Sequence, residues 1–293
     1  MKHAYLIITH GEFEVLACLI KAIDDVRNDI FIHFDKKISS VPYLETQRAG
    51  LFILKNRIDV RWGDISVVKA EYALFHEAYY NEYIYDYYHL LSGVDMPLKS
   101  QNEIHNFFSI HSGYEFIGYS QGDILSHLKR KVQRFHLFPR SFRNGKGVCY
   151  IVKRILRALV LYFQRLFGIT RNQRVVFKKG TQWVSVTHSF VAHLLANQES
   201  VFSMYHHTFC CDEIYKQTLC WNSFFRDRVY DLNNEEIGSL RKIGWRGNRL
   251  LEWQQKDYEE LLNSQALFAR KFSGEHIQVV YSLLNHIGTE SVG

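Results

Sequence analysis

Proline, paired cysteine and long apolar runs are all scarce in this chain, and each shortage excludes something. Three prolines in 293 residues and no Ser/Gly-rich stretch leave no flexible linker, so a single domain with insertions is expected. The five cysteines, Cys18, Cys149, Cys210, Cys211 and Cys220, are odd in number and contain no CxxC pair. They read as reduced thiols, not as a disulfide framework or a zinc cage. His33-Phe-Asp35 and His206-His207 occur without HExxH or paired Cys/His spacing, so no metal site is expected from them. No run approaches the ~18 apolar residues that span a bilayer. The amino terminus is apolar only from Ala4 to Ile8, too short for a signal peptide, and reads as a first strand. The expectation is a cytoplasmic chain, peripheral on the inner face of the cell membrane if its basic block engages lipid.

That block is the strangest shortage. Between Asp123 and Glu199 there is no acidic residue, while fifteen lysines and arginines run from Lys129 to Lys179, Arg143 and Lys146 among them. The formal net charge of +6 originates almost entirely here. Within it, Ile151–Phe167 places Leu156, Leu159, Val160, Phe163 and Phe167 on one helical face, with Lys153, Arg154, Arg157 and Gln164 largely opposite. Two readings are open: a cationic amphipathic helix on an anionic bilayer, or a core helix with a solvated basic face.

The rest alternates strand and helix. Tyr5–Ile8, a helix over Glu12–Ile23 and a strand over Ile30–Phe34 form a βαβ opening, which implies a parallel sheet. Short strands are expected at Phe52–Leu54 and Ile58–Val60, a helix at Val67–Tyr80 and a buried strand at Tyr87–Leu91. Gln101–Phe108 then reads as a helix, Tyr114–Ile117 and Gly180–Val186 as strands, His188–Ala196 as a helix and Lys256–Asn263 as the last helix. In such sheets ligands sit beyond the carboxyl ends of the strands, where Asp35 and Asp95 fall. Asp35 would accept from a nucleoside or simply end its strand; Asp95 would line a ligand pocket or a turn. At Cys211-Asp212-Glu213, Asp212 is positioned to cap a helix starting at Glu213, and a carboxylate at such a junction can act as general base.

Several strings in this order resemble the Core-2/I-branching glycosyltransferase family, which includes β-1,6-N-acetylglucosaminyltransferases and peptide O-xylosyltransferases. They are Tyr5–His10 with Ile32–Lys37, Leu90-Leu-Ser-Gly-Val-Asp-Met-Pro-Leu-Lys99, Lys179-Gly-Thr-Gln-Trp183, Asp212-Glu213 and Leu267-Phe-Ala-Arg-Lys-Phe272. The resemblance implies a GT-A-like α/β domain over 1–293, with a Rossmann-like mixed sheet flanked by helices and a basic helical insertion at about 124–178. It further implies inverting transfer of a GlcNAc-like or xylose-like sugar from a UDP-sugar to a saccharide or lipid-linked oligosaccharide acceptor, as in surface polysaccharide or glycolipid synthesis. No cofactor or metal would be needed: the chain has no Asp-x-Asp, and the family neutralises the diphosphate with basic side chains. Carried over by position, Glu213 is the base, Arg241 and Lys271 hold the diphosphate, and Asp35, Asp95, Gly180 and Trp183 belong to the nucleoside and donor pocket. Cys211 stands where animal relatives have proline before Asp-Glu.

Two other classes compete. A nucleic-acid-binding protein would use the basic block, with Phe135, Tyr150 and Phe163 interleaved as stacking groups, but no RRM, KH or zinc-knuckle pattern accompanies it. A membrane-bound scaffold without catalysis would bind anionic lipid and transfer nothing.

Overall fold

The computed structural model describes all residues except 123–124, 142–146, 248 and 291–293, and omits the side chains of 125–127 and 289–290. Asp123, Arg143 and Lys146 of the charge count therefore lie outside the described residues. The chain opens with β1 (His3–Thr9), α1 (Phe13–Ala22), β2 (Asn28–Phe34), β3 (Gly50–Ile53), α2 (Ser66–Tyr79) and β4 (Tyr87–Ser92). After a two-residue turn come β5 (Asp95–Pro97) and α3 (Gln101–Ile110), then the basic insertion with α4 (Leu125–Val132) and α5 (Val148–Leu166). The second half holds β6 (Ser185–Thr187), α6 (His188–Ala196), α7 (Gln198–Tyr205), α8 (Tyr215–Trp221) and α9 (Glu235–Ser239). It closes with β7 (Arg241–Ile243), β8 (Trp245–Arg246), β9 (Arg249–Leu250), α10 (Tyr258–Leu262), β10 (Phe268–Arg270) and α11 (Ile277–Glu290).

The main sheet has the order β3-β2-β1-β4-β6, parallel except for β6, which runs antiparallel to β4. Both of its faces are covered, as expected when helices form the crossovers. Alternation along β1 shows this: Ala4 and Leu6 enter one core with Tyr72, Phe75, Phe190 and Tyr215, while Tyr5 and Ile7 enter the other with Leu16, Leu19, Phe108 and Val280. Burial also explains three of the histidines. Among the second core's aromatic groups, His3 stacks on His105 and hydrogen-bonds His89, and His105 hydrogen-bonds Asn28; desolvation drives all three pKa values down, so they are neutral packing groups.

A second, three-stranded sheet, β5-β10-β7, grows off the end of β4. It sets Arg270 in register with Asp95, and that pairing builds the site described below. Helix α3 starts where a capping box requires it: Ser100 accepts from Glu103 N–H, and Glu103 accepts from Ser100 N–H.

Several expected elements differ. Ile58–Val60 is not a strand; its Ile58 carbonyl instead accepts from Lys36 N–H at 3.0 Å. Tyr114–Ile117 makes only single bridges, Glu115 to Val229 and Phe116 to Ser185. Gly180–Val186 shortens to β6, and Lys256–Asn263 is not the last helix, because α11 follows and packs on α1 through Tyr281 Oη donating to Glu14 at 2.6 Å.

Candidate active site

The carboxyl ends of β1, β2 and β4 form one edge, and the predicted residues fall along it unevenly. Asp35 follows β2 and is tied to β1 by its N–H donating to Thr9 O at 2.9 Å. Its buried carboxylate is already engaged by Lys37, through the backbone N–H at 2.9 Å and Nζ at 2.5 Å. A nucleoside at Asp35 would share this carboxylate with Lys37, which also bonds Asp59.

Asp95, 1% exposed, accepts from Ser92 N–H at 2.9 Å and from Ser92 Oγ, and faces Arg270 Nε at 3.3 Å. Burial raises the pKa of Asp95, and Arg270 opposes the rise. The guanidinium of Arg270 lies over the Trp183 ring at 4.3 Å. Burial lowers its pKa, offset first by Asp95 and then by Glu213. Arg270, flanked by a carboxylate and an aromatic plane, is thus a cation held in fixed geometry near Glu213.

Glu213 sits on the loop before α8 with its side chain 40% exposed, ion-paired to Lys179 Nζ at 3.2 Å. Its carbonyl accepts from Gly180 N–H at 3.0 Å, which brings the Lys179–Trp183 string alongside. Gly180 is required by close approach: a Cβ there would lie 1.8 Å from the Gly118 carbonyl oxygen. Gly180→Ala should therefore lower thermal stability by about 1–3 kcal/mol, as overpacking does; an unchanged melting temperature would show that these backbones separate freely.

One expectation fails here, and a second residue, Arg241, lies deeper than its expected role suggests. Asp212 does not cap the helix. α8 begins at Tyr215, after an Ile214 N-cap that has no side-chain bond, and Asp212 Oδ1 is buried without a partner. Burial, followed by the nearby carboxylates of Glu213 and Glu71, pushes Asp212 up to about 7. Arg241 is not presented to solvent. It is 2% exposed, its Nη1 donates to Ser239 O at 2.8 Å, and its Nη2 donates to Val184 O and Ser185 Oγ, each at 3.0 Å. It stacks on Phe268 at 4.4 Å, and burial lowers its pKa to about 9. Aiming it at a diphosphate would strip the buried Ser239 carbonyl of its donor and leave Val184 O with Leu90 N–H alone, so in this structure Arg241 braces β7 against the β6 edge.

Lys271 is 36% exposed and reaches Glu252 at 2.9 Å. Glu252, Glu275 and His276 form the one group of three among the described residues whose donor atoms lie close enough to hold a metal ion, and the Lys271 ammonium already sits on it. The structure thus brings Asp95, Trp183, Gly180 and Glu213 together, with Asp35 and Lys271 farther along the rim. Sequence reasoning named Arg270 and Lys242 only as neighbours that could substitute for Arg241 and Lys271, and it missed Lys179, although Lys179 and Arg270 lie inside strings that it singled out.

A mixed, mainly parallel sheet flanked by helices is consistent with a GT-A-like fold. The Core-2/I-Branching enzyme model matches residues 3–278, nearly the whole chain, and the protein belongs to that glycosyltransferase family. No curated protein matches it.

Proposed function

We propose that this enzyme transfers a sugar from a UDP-sugar to a saccharide acceptor with inversion and without a metal. The observation that carries the reading is Arg270, clamped by Asp95 and Trp183 on the same rim as the accessible carboxylate of Glu213. In direct displacement, Glu213 takes the proton of the acceptor hydroxyl while that oxygen forms its bond to the anomeric carbon. The bond from carbon to diphosphate oxygen breaks on the opposite face. One carboxylate suffices because no glycosyl-enzyme forms, unlike the paired acids of glycosidases. The departing UDP gains negative charge, which fixed cations stabilise without reorganising. Arg270 and Lys271 are adjacent candidates for that work, with Arg241 supporting from below, while Lys179 holds the base in place. Asp35 remains the candidate nucleoside contact. The acceptor is a surface polysaccharide precursor or a lipid-linked oligosaccharide.

A chelator decides the metal question, and the cluster beside Lys271 makes that test pointed. With excess EDTA, turnover of a UDP-sugar should stay within about twofold of the untreated rate, since side-chain cations supply the stabilisation. Loss of transfer that manganese restores would move the diphosphate onto a metal and end this part of the reading.

A further inference from the structure

Helix α5 is built inside out. Its two buried side chains are Arg157 and Gln164, seven residues apart on one stripe. Arg157 Nε donates to Leu137 O and Nη2 to Phe138 O, both at 3.0 Å. Gln164 donates to Phe135 O at 2.9 Å and accepts from Phe135 N–H at 2.7 Å. The polar stripe is therefore the docking face, and the apolar side chains point away from the protein. Val148, Ile151, Ile155, Leu159, Phe163 and Leu166 are each 46–77% exposed. Scattered surface leucines are ordinary, but a stripe along the whole length of a helix is not.

We infer that this face lies in the plane of an anionic phospholipid leaflet, with α5 as an interfacial anchor. Three observations favour lipid over another occupant. Arg154 and Arg165 flank the apolar stripe, and no acid occurs between Asp123 and Glu199, so a second copy would meet like charge. Tyr162, Phe163 and Phe167 are exposed at one end, aromatic groups suited to the headgroup boundary. Among the described residues no helix is long and apolar enough to cross a membrane, so the helix lies on the bilayer instead of spanning it. Nucleic acid fits less well, because Arg134, Arg157 and Arg171 are committed to backbone carbonyls. The segment on which α5 docks is also bonded to the body of the protein. Arg140 reaches Asp59, the partner of Lys37, and His136 N–H donates to His207 O, five residues before Asp212.

The test needs no sugar donor, so its failure leaves the transferase reading standing. The full chain is sedimented with phosphatidylcholine vesicles with and without phosphatidylglycerol. Binding should appear with the anionic lipid. Ile155→Glu/Leu159→Glu/Phe163→Glu, at exposed positions that leave the docking stripe intact, should weaken it about tenfold or more. Arg154→Glu/Arg165→Glu should remove its salt-sensitive part. Cys149 is the exposed cysteine, so a polarity-sensitive dye attached there should shift to the blue when vesicles are added. A parent chain that ignores anionic vesicles overturns the inference, whether it remains a monomer, proves to be a dimer that the triple variant splits, or retains RNA instead. Unchanged vesicle binding by the triple variant overturns it as well.

Discussion

Glu213→Gln should abolish nearly all sugar transfer while leaving the fold untouched. Glutamine keeps the shape of the side chain but cannot take a proton, and loss of general base catalysis costs roughly 10²–10⁴-fold in rate. Stability should barely change, because the carboxylate is 40% exposed and its ion pair with Lys179 is worth at most about 1 kcal/mol. The informative control is Asp212→Asn. Asp212 carries a buried, unpaired oxygen, and burial with neighbouring carboxylates brings it to about 7, so it too could be suspected of moving protons. If Glu213 is the base, initial rates of UDP release in the presence of acceptor collapse in the first variant and stay within about tenfold in the second. The reverse pattern would transfer the assignment to Asp212 and require the substrate to approach from the other side of the loop.

How much of this was legible beforehand depends on where each residue sits. The βαβ opening was readable because β1 and β2 are long, apolar and buried on both faces, which leaves little ambiguity in seven residues. The strands that assemble the cation cluster were not. β5, β7 and β10 are three residues each, too short for alternation to say which side chain faces in. By position Arg241 is the match and Arg270 a neighbour that could substitute, and only the β6 edge shows that Arg241 turns inward. At α5 the periodicity set Leu159 and Phe163 opposite Arg157 and Gln164, yet a period cannot say which face meets the body. That was settled by carbonyls of residues 135–138, more than fifteen positions upstream of Arg157 and Gln164. The cap assigned to Asp212 failed because the helix begins at Tyr215, two residues later than the string suggests, and Asp212 is buried near Glu71, from a helix about 140 residues earlier.

Glu71 also underlies the largest expected effect on stability. It is fully buried, as is Lys216, and the two form a direct ion pair. Tyr215 Oη donates to the same carboxylate at 2.5 Å, and Gln182 Nε2 donates to its other oxygen at 2.7 Å. Lys216 Nζ additionally donates to Asp212 O at 3.3 Å. One carboxylate on α2 thereby fixes the residue before Trp183 and, through Lys216, the residue before Glu213. Removing one partner leaves an uncompensated charge in the interior, so Lys216→Met should cost about 3–5 kcal/mol. In a chain of this size that lowers the melting temperature on the order of 10 °C. Removing both charges, in Glu71→Gln/Lys216→Met, should recover much of the loss, since a buried pair replaced by neutral groups is often close to neutral in stability. Recovered stability need not restore rate, because the replaced side chains no longer hold the Trp183 and Glu213 strings in the same geometry. Calorimetry on the two single variants and the double variant, with transfer rates measured on the same samples, separates the two effects. Melting temperatures for Lys216→Met within about 1 °C of the parent would mean that water reaches the pair and that the network does not hold the site together.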